Sequence, residues 1–244
     1  MKKFVNNIRQ FSRGVLGLTI GLLLAIPAAA ETLTVYTAVE AEDLKRYASA
    51  FNEDHPDIKI RWVRDSTGIV TAKLLAEKNN PRADVIWGLA ATSLMLLQSE
   101  GMLQSYSPRG LGKLDSKFRD SANPPSWTGM DAWIAAVCVN TVEAKRYNLP
   151  TPTSWMDLTD PVYKGHLVMP NPNSSGTGFL DVSSWLQIYG KLGGWQFMDN
   201  LHENIAWYTH SGSKPCKQAA RGETPIGISF AFRGAKSKAA GAPL

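Results

Sequence analysis

Cysteine is scarce in this chain. Two residues in 244, Cys138 and Cys216, are too few for a cysteine-rich metal site or a framework of several bridges. They either pair in an oxidising compartment or stand as two buried thiols. Spacing does not decide, because Cα separation cannot be read from sequence. Histidine is equally thin. His55, His166, His202 and His210 are scattered, and no Cys/His cluster has metal-ligand spacing. No metal and no cofactor is expected. Catalytic signatures are missing too: there is no Gly-x-Ser-x-Gly elbow, no phosphate loop ending Gly-Lys-Ser/Thr, and His202-Glu203 lacks the second histidine of a zinc protease. The one catalytic option left open is a pair of acids for glycoside chemistry, drawn from Glu40, Asp65 and Asp84.

Long apolar runs are absent after residue 30, and the apparent basic excess does not survive inspection. The first thirty residues hold Lys2, Lys3, Arg9 and Arg13 and no acid, so the formal charge of +5 falls to +1 without them. A nucleic-acid partner would need a basic face in the remainder, and none is visible. Those thirty residues have the form of a Sec-type signal peptide. A basic region precedes an apolar stretch from Gly14 to Pro27, and Ala28-Ala29-Ala30 offers cleavage after Ala30. The expectation is a soluble monomer exported to the periplasm.

The remainder alternates strand and helix signals. Leu33–Thr37 is β-branched and aromatic, and Leu44, Tyr47, Ala48 and Phe51 then form one helical stripe. Ile58, Ile60 and Trp62 alternate as a second strand. A helix with Val70, Leu74 and Leu75 follows, and Asp84–Trp87 is the third strand. This β-α-β-α-β order implies a parallel sheet. After a Ser-, Pro- and Gly-rich excursion, Ala132–Val139 reads as an apolar strand buried on both faces, opening a second half. Residues 31–132 and 133–244 are therefore expected as two α/β lobes. The sequence after Phe232 shows no closing element, and a C-terminal part is expected to be missing.

Pro170-Asn171-Pro172-Asn173-Ser174-Ser175-Gly176-Thr177-Gly178 stands between a short apolar strand and a helical pattern from Phe179 to about Gly190. Strand, turn and helix start gather free backbone N–H groups around an anion. Ser174, Ser175 and Thr177 add hydroxyls, and Gly176 lets the backbone approach a ligand. Ligands of parallel sheets collect at the strands' carboxyl ends. Thr37, Glu40, Ser66, Thr67 and Trp87 lie at three such ends, and Tyr208 near a fourth. Alternatives stand beside these readings: the Pro170–Gly178 turn as an ordinary N-cap with no ligand, Ser66 and Thr67 as simple helix caps, Glu40 as a solvated first-turn acid, and Trp87 as core.

In this order the signal sequence, the Leu33–Thr37 strand, Ala83–Trp87, Pro170–Gly178, Tyr208–Ser213 and Gly222–Ile228 resemble the periplasmic solute-binding proteins of ABC importers. The likeness is to their ferric-ion-binding-like branch, and most of all to 2-aminoethylphosphonate-binding proteins. It implies a two-lobed type II binding fold with a mostly parallel sheet in each lobe, and an inner-membrane ABC permease as partner. It also implies that the protein is not an enzyme. Ferric relatives ligate iron with adjacent tyrosines. Trp207-Tyr208 stands there instead, which counts against iron. The expected site has Ser174–Thr177 and Ser66-Thr67 gripping a phosphonate. Glu40 meets its amine, Thr37 lies at the strand end, and Trp87 and Tyr208 form walls. Competing readings are ferric iron, a polyamine or phosphate on the same fold, or an exported hydrolase.

Overall fold

Residues Glu31–Leu244 are described by the computed structural model; the expected signal peptide and its cleavage point lie outside the described residues. The β-branched and aromatic run at the start of this region forms β1 (Glu31–Thr37), paired in parallel with β2 (Ile58–Arg64) and β3 (Val85–Trp87). The order β2-β1-β3 places the first strand in the middle. That follows from two crossovers, through α1 (Ala41–Asp54) and α2 (Thr67–Ala76), which pack against the sheet. Tyr36, Val70, Leu74, Leu89 and Leu97 form the core here, the last from α3 (Ala91–Ser99).

The second sheet has the order β4-β7-β5-β6, from Ala135–Val139, Ile226–Phe230, Leu167–Pro170 and Ile205–Thr209. β5 runs parallel to β6 and β7, while β4 is antiparallel to β7. β4 is shorter than the apolar run suggests and is not buried on both faces. Only Cys138 is fully covered and Ile134 is 68% exposed, because β4 is an edge strand. Its short α4 (Thr141–Arg146) is capped by Asn140, whose side chain accepts from Val142 and Glu143.

The long α5 (Gly176–His202) is broken at Gly190, where φ is +72°, a conformation that favours glycine. Trp185, Phe197 and Leu201 from its two parts pack on Leu167, Met169, Ile226 and Ile228 of the sheet. The chain does not trail off after Phe232. Residues Ala231–Ala239 form α7, built from the strong helix formers Ala, Lys and Arg, with Arg233 buried. Cys138 and Cys216 are bridged, Cα atoms 5.4 Å apart, and tie β4 to α6 (Lys214–Ala220). α7 crosses this bridge closely. A Cβ on Gly234 would sit 3.2 Å from Cys138 Sγ.

Asp181 is the odd residue in this core. It is fully buried on α5, and neither carboxyl oxygen has a partner among the described residues. Burial raises its carboxyl well above the ordinary 3.8. The folded form therefore holds a proton that the unfolded chain releases above that pH, so stability declines as pH rises through the range. Asp181→Asn keeps the shape without the ionisation. It is expected to match wild type below pH 4 and to be more stable at pH 7, where only the wild type must hold a proton that its unfolded chain has released. Thermal unfolding across pH checks this; a variant less stable at every pH would reveal a partner for the carboxylate.

Candidate functional site

The carboxyl ends of the six parallel strands among the described residues meet around one cleft of about 360 Å³. From the first sheet come Ala38–Glu40 after β1, Arg64, Ser66 and Thr67 at the end of β2, and Gly88–Ala90 after β3. From the second come Ser175–Thr177 after β5, Ser211–Ser213 after β6, Phe230 at the end of β7 and Phe232 in the first turn of α7. Asp131, Ala132 and Trp133 enter from the segment before β4. This is where parallel sheets place ligands.

Two helix N-termini face each other across the cleft. α2 starts at Thr67 with Ser66 as N-cap, and α5 starts at Gly176 with Ser175 as N-cap. They nearly touch. Gly68 N–H donates to the Ser174 carbonyl at 3.0 Å, and a Cβ on Gly176 would lie 2.7 Å from Thr67 Oγ1. Backbone N–H groups of Thr67, Gly176 and Thr177 have no acceptor among the described residues. The hydroxyls of Ser66, Thr67 and Thr177 line the same space. Ser175 Oγ accepts from Gly178 N–H, which leaves its own proton to donate. Converging N–H groups, hydroxyls and two positive dipole ends can hold a tetrahedral oxyanion.

Side-chain charge shapes the rest. Arg46 and Arg64 line the cleft, with Arg64 Nε donating to the Val39 carbonyl at 3.1 Å. Three acids line it as well, and two of them are already paired. Glu40 stands 3.1 Å from Arg233 and 3.4 Å from Lys217, and Asp43 stands 3.0 Å from Lys236. Glu42, beside them, pairs with Arg233 at 2.6 Å. Burial alone would raise the Glu42 carboxyl, but hydrogen bonds from Arg233 and Lys217 outweigh it and bring it down to about 2. This network links α1 to α6 and α7. A second link joins His210 to Asp65 at 2.7 Å, and that bond holds the Asp65 carboxyl below its usual range.

Six of the ten residues expected at the site share this cleft: Glu40, Ser66, Thr67, Ser175, Gly176 and Thr177. The other four do not. Thr37 is fully buried, and its Oγ1 accepts from Val39 N–H. Ser174 turns away, donating to the His210 carbonyl at 2.8 Å. Trp87 packs against Tyr47 and Trp62 and faces a neighbouring cavity of about 1030 Å³. Tyr208 lies on the edge strand with its phenol 2.7 Å from His202 Nδ1, so it forms no wall of the cleft. Glu40 lines the cleft, but its carboxylate is committed to Arg233 and Lys217, which removes it as the acceptor for a ligand amine. The acids weighed for glycoside chemistry do not converge either, since Asp84 accepts from Thr34 N–H and Asp65 is held by His210. Among the described residues no three or more His, Cys, Asp or Glu side chains gather as a metal site.

Residues 80–242 match the family described as bacterial extracellular solute-binding proteins. The chain belongs to that family. A Haemophilus influenzae relative, described as uncharacterized, is 31% identical over 96% of this chain and 70% of its own length. A Sinorhizobium fredii relative, described as a probable ABC transporter periplasmic-binding protein, is 28% identical over 80% of this chain and 54% of its own. Among solved structures, the periplasmic binding protein AfuA from Actinobacillus pleuropneumoniae, with fructose-6-phosphate bound, is 33% identical with a TM-score of 0.79. The match covers 87% of this chain and 67% of AfuA. The chain thus spans between about half and 70% of the length of these relatives. The fold is the two-lobed α/β architecture of type II periplasmic binding proteins.

Several cleft residues of this solute-binding protein escape sequence reasoning. Arg64 ends β2 immediately before the Asp65-Ser66-Thr67 turn, so its position at a strand end was a usable signal. Ser211–Ser213 stand in a donor-rich strand end of the same kind. Arg46 and Asp131 carried none, because a helix face and a loop do not announce which way they point.

Proposed function

We propose that this protein is the periplasmic receptor of an ABC importer and binds a small organic phosphoryl compound, 2-aminoethylphosphonate, for delivery to an inner-membrane permease. The observation that carries the reading is the pair of helix N-termini, α2 and α5, meeting at one cleft with unpaired N–H groups and hydroxyls from both sheets. The lobes divide between residues 132 and 133, just before β4. A phosphonate placed between them takes donors from both, so it binds the closed arrangement more tightly than either half alone. Micromolar affinity corresponds to about −8 kcal/mol, which several charge-assisted hydrogen bonds can supply.

A phosphorylated sugar is the second reading. It is favoured by the AfuA structure, whose bound molecule is fructose-6-phosphate. Titration calorimetry with 2-aminoethylphosphonate and fructose 6-phosphate separates the two. The expected result is tight binding of the phosphonate, weakened about tenfold in Thr177→Val, which removes one hydroxyl donor and keeps the Ser175 cap. Unchanged affinity in that variant would remove the α5 turn from the site. Tighter binding of the sugar phosphate would replace the ligand.

A further inference from the structure

Once internal pairs among the described residues are taken out, the cleft keeps two unpaired cations, Arg46 and Arg64, beside one unpaired acid. Of the three acids that line the cleft, Glu40 is held by Arg233 and Lys217, and Asp43 by Lys236. Asp131 has no ion pair or hydrogen bond among the described residues, and the only influence on its carboxyl is loss of water, which raises it. The arginines suit the anion, but a carboxylate without a partner beside an oxyanion seat disfavours a plain anion, since like charges then share one cleft. It becomes favourable when the guest brings its own cation. The surroundings suit one: Trp133 lines the cleft two residues along and meets Phe230 edge-on at 6.2 Å, offering aromatic faces to an ammonium.

We infer that Asp131 is the specificity-determining residue of this cleft, taking the ammonium end of a short zwitterion whose phosphoryl group sits between the α2 and α5 N-termini. The role the sequence suggests for Glu40 thus passes to Asp131. This inference rests on the phosphoryl-seat reading and narrows it: amine-bearing phosphonates are accepted, while isosteres without the amine and inorganic phosphate are disfavoured.

The test compares 2-aminoethylphosphonate, ethylphosphonate and inorganic phosphate by calorimetry on wild type and Asp131→Asn. Asp131 is exposed at the cleft wall and has no bonding partner among the described residues, so the variant is expected to fold, which unchanged thermal unfolding without ligand would show. Wild type is expected to prefer the amine-bearing compound by about tenfold or more, the scale of one charge-assisted hydrogen bond. Asp131→Asn is expected to erase that preference by weakening 2-aminoethylphosphonate while leaving ethylphosphonate as tight or tighter. Equal binding of the two phosphonates by wild type, or a preference that survives in the variant, overturns the role of Asp131 and leaves the seat standing. Failure of wild type to bind either phosphonate overturns both.

Discussion

Gly176→Val is expected to reduce ligand affinity on the order of a thousandfold, about 4 kcal/mol, while unfolding stability changes far less. A side chain at Gly176 has nowhere to go. Its Cβ alone would lie 2.7 Å from Thr67 Oγ1 and 3.0 Å from Thr67 Cβ, tighter than real contacts allow. The first turns of α2 and α5 must then separate, and the donors of both leave their common focus together. Losing one hydroxyl removes one bond, whereas this change dismantles the geometry that makes every bond simultaneous. Neighbouring glycines repeat the constraint. A Cβ on Gly68 would collide with the Asn173 carbonyl oxygen, and one on Gly212 with Thr177 Oγ1. Calorimetry on the variant checks the result, and affinity within about threefold of wild type, under 1 kcal/mol, would contradict it.

Gly176 also shows what the sequence could disclose. Its place in Pro170–Gly178, between an apolar strand and a helix, was enough to mark a strand-turn-helix start, because that chemistry is local. The partner turn at Ser66-Thr67 was legible for the same reason. Residues whose roles depend on orientation were not. Glu40 and Thr37 flank the same strand end, yet Thr37 is consumed by its own backbone turn and Glu40 by cations from α6 and α7, more than 170 positions away. Tyr208 looked like a wall because it nears a strand end. Only the sheet order reveals that its strand lies at the edge. The helix after Phe230 was not legible, because its Ala, Lys and Gly composition has little apolar signal. Its one fully buried residue is a charged one, Arg233, paired with Glu40 and Glu42 at the start of α1.

Replacing Cys138 and Cys216 together by alanine is expected to lower unfolding stability by about 4 kcal/mol, or about 10 °C in Tm. The bridge closes a sequence separation of 78 residues, so removing it returns considerable freedom to the unfolded chain. Both sulfurs are also enclosed by Ala219 and by Gly234 of α7, so truncation leaves a void where β4, α6 and α7 meet. Reductant should lower wild type by a comparable amount and leave the double variant unmoved. A loss below about 1 kcal/mol would show that neither constraint matters to the fold. Ligand-induced stabilisation should persist in the variant, because the bridge lines no part of the cleft.

The most direct measurement is a crystal structure of this protein with 2-aminoethylphosphonate bound. The phosphorus atom is expected within about 4 Å of the backbone nitrogens of Thr67 and Gly176, the reach of one oxygen's hydrogen bond. A phosphorus atom bound away from both turns would contradict the account.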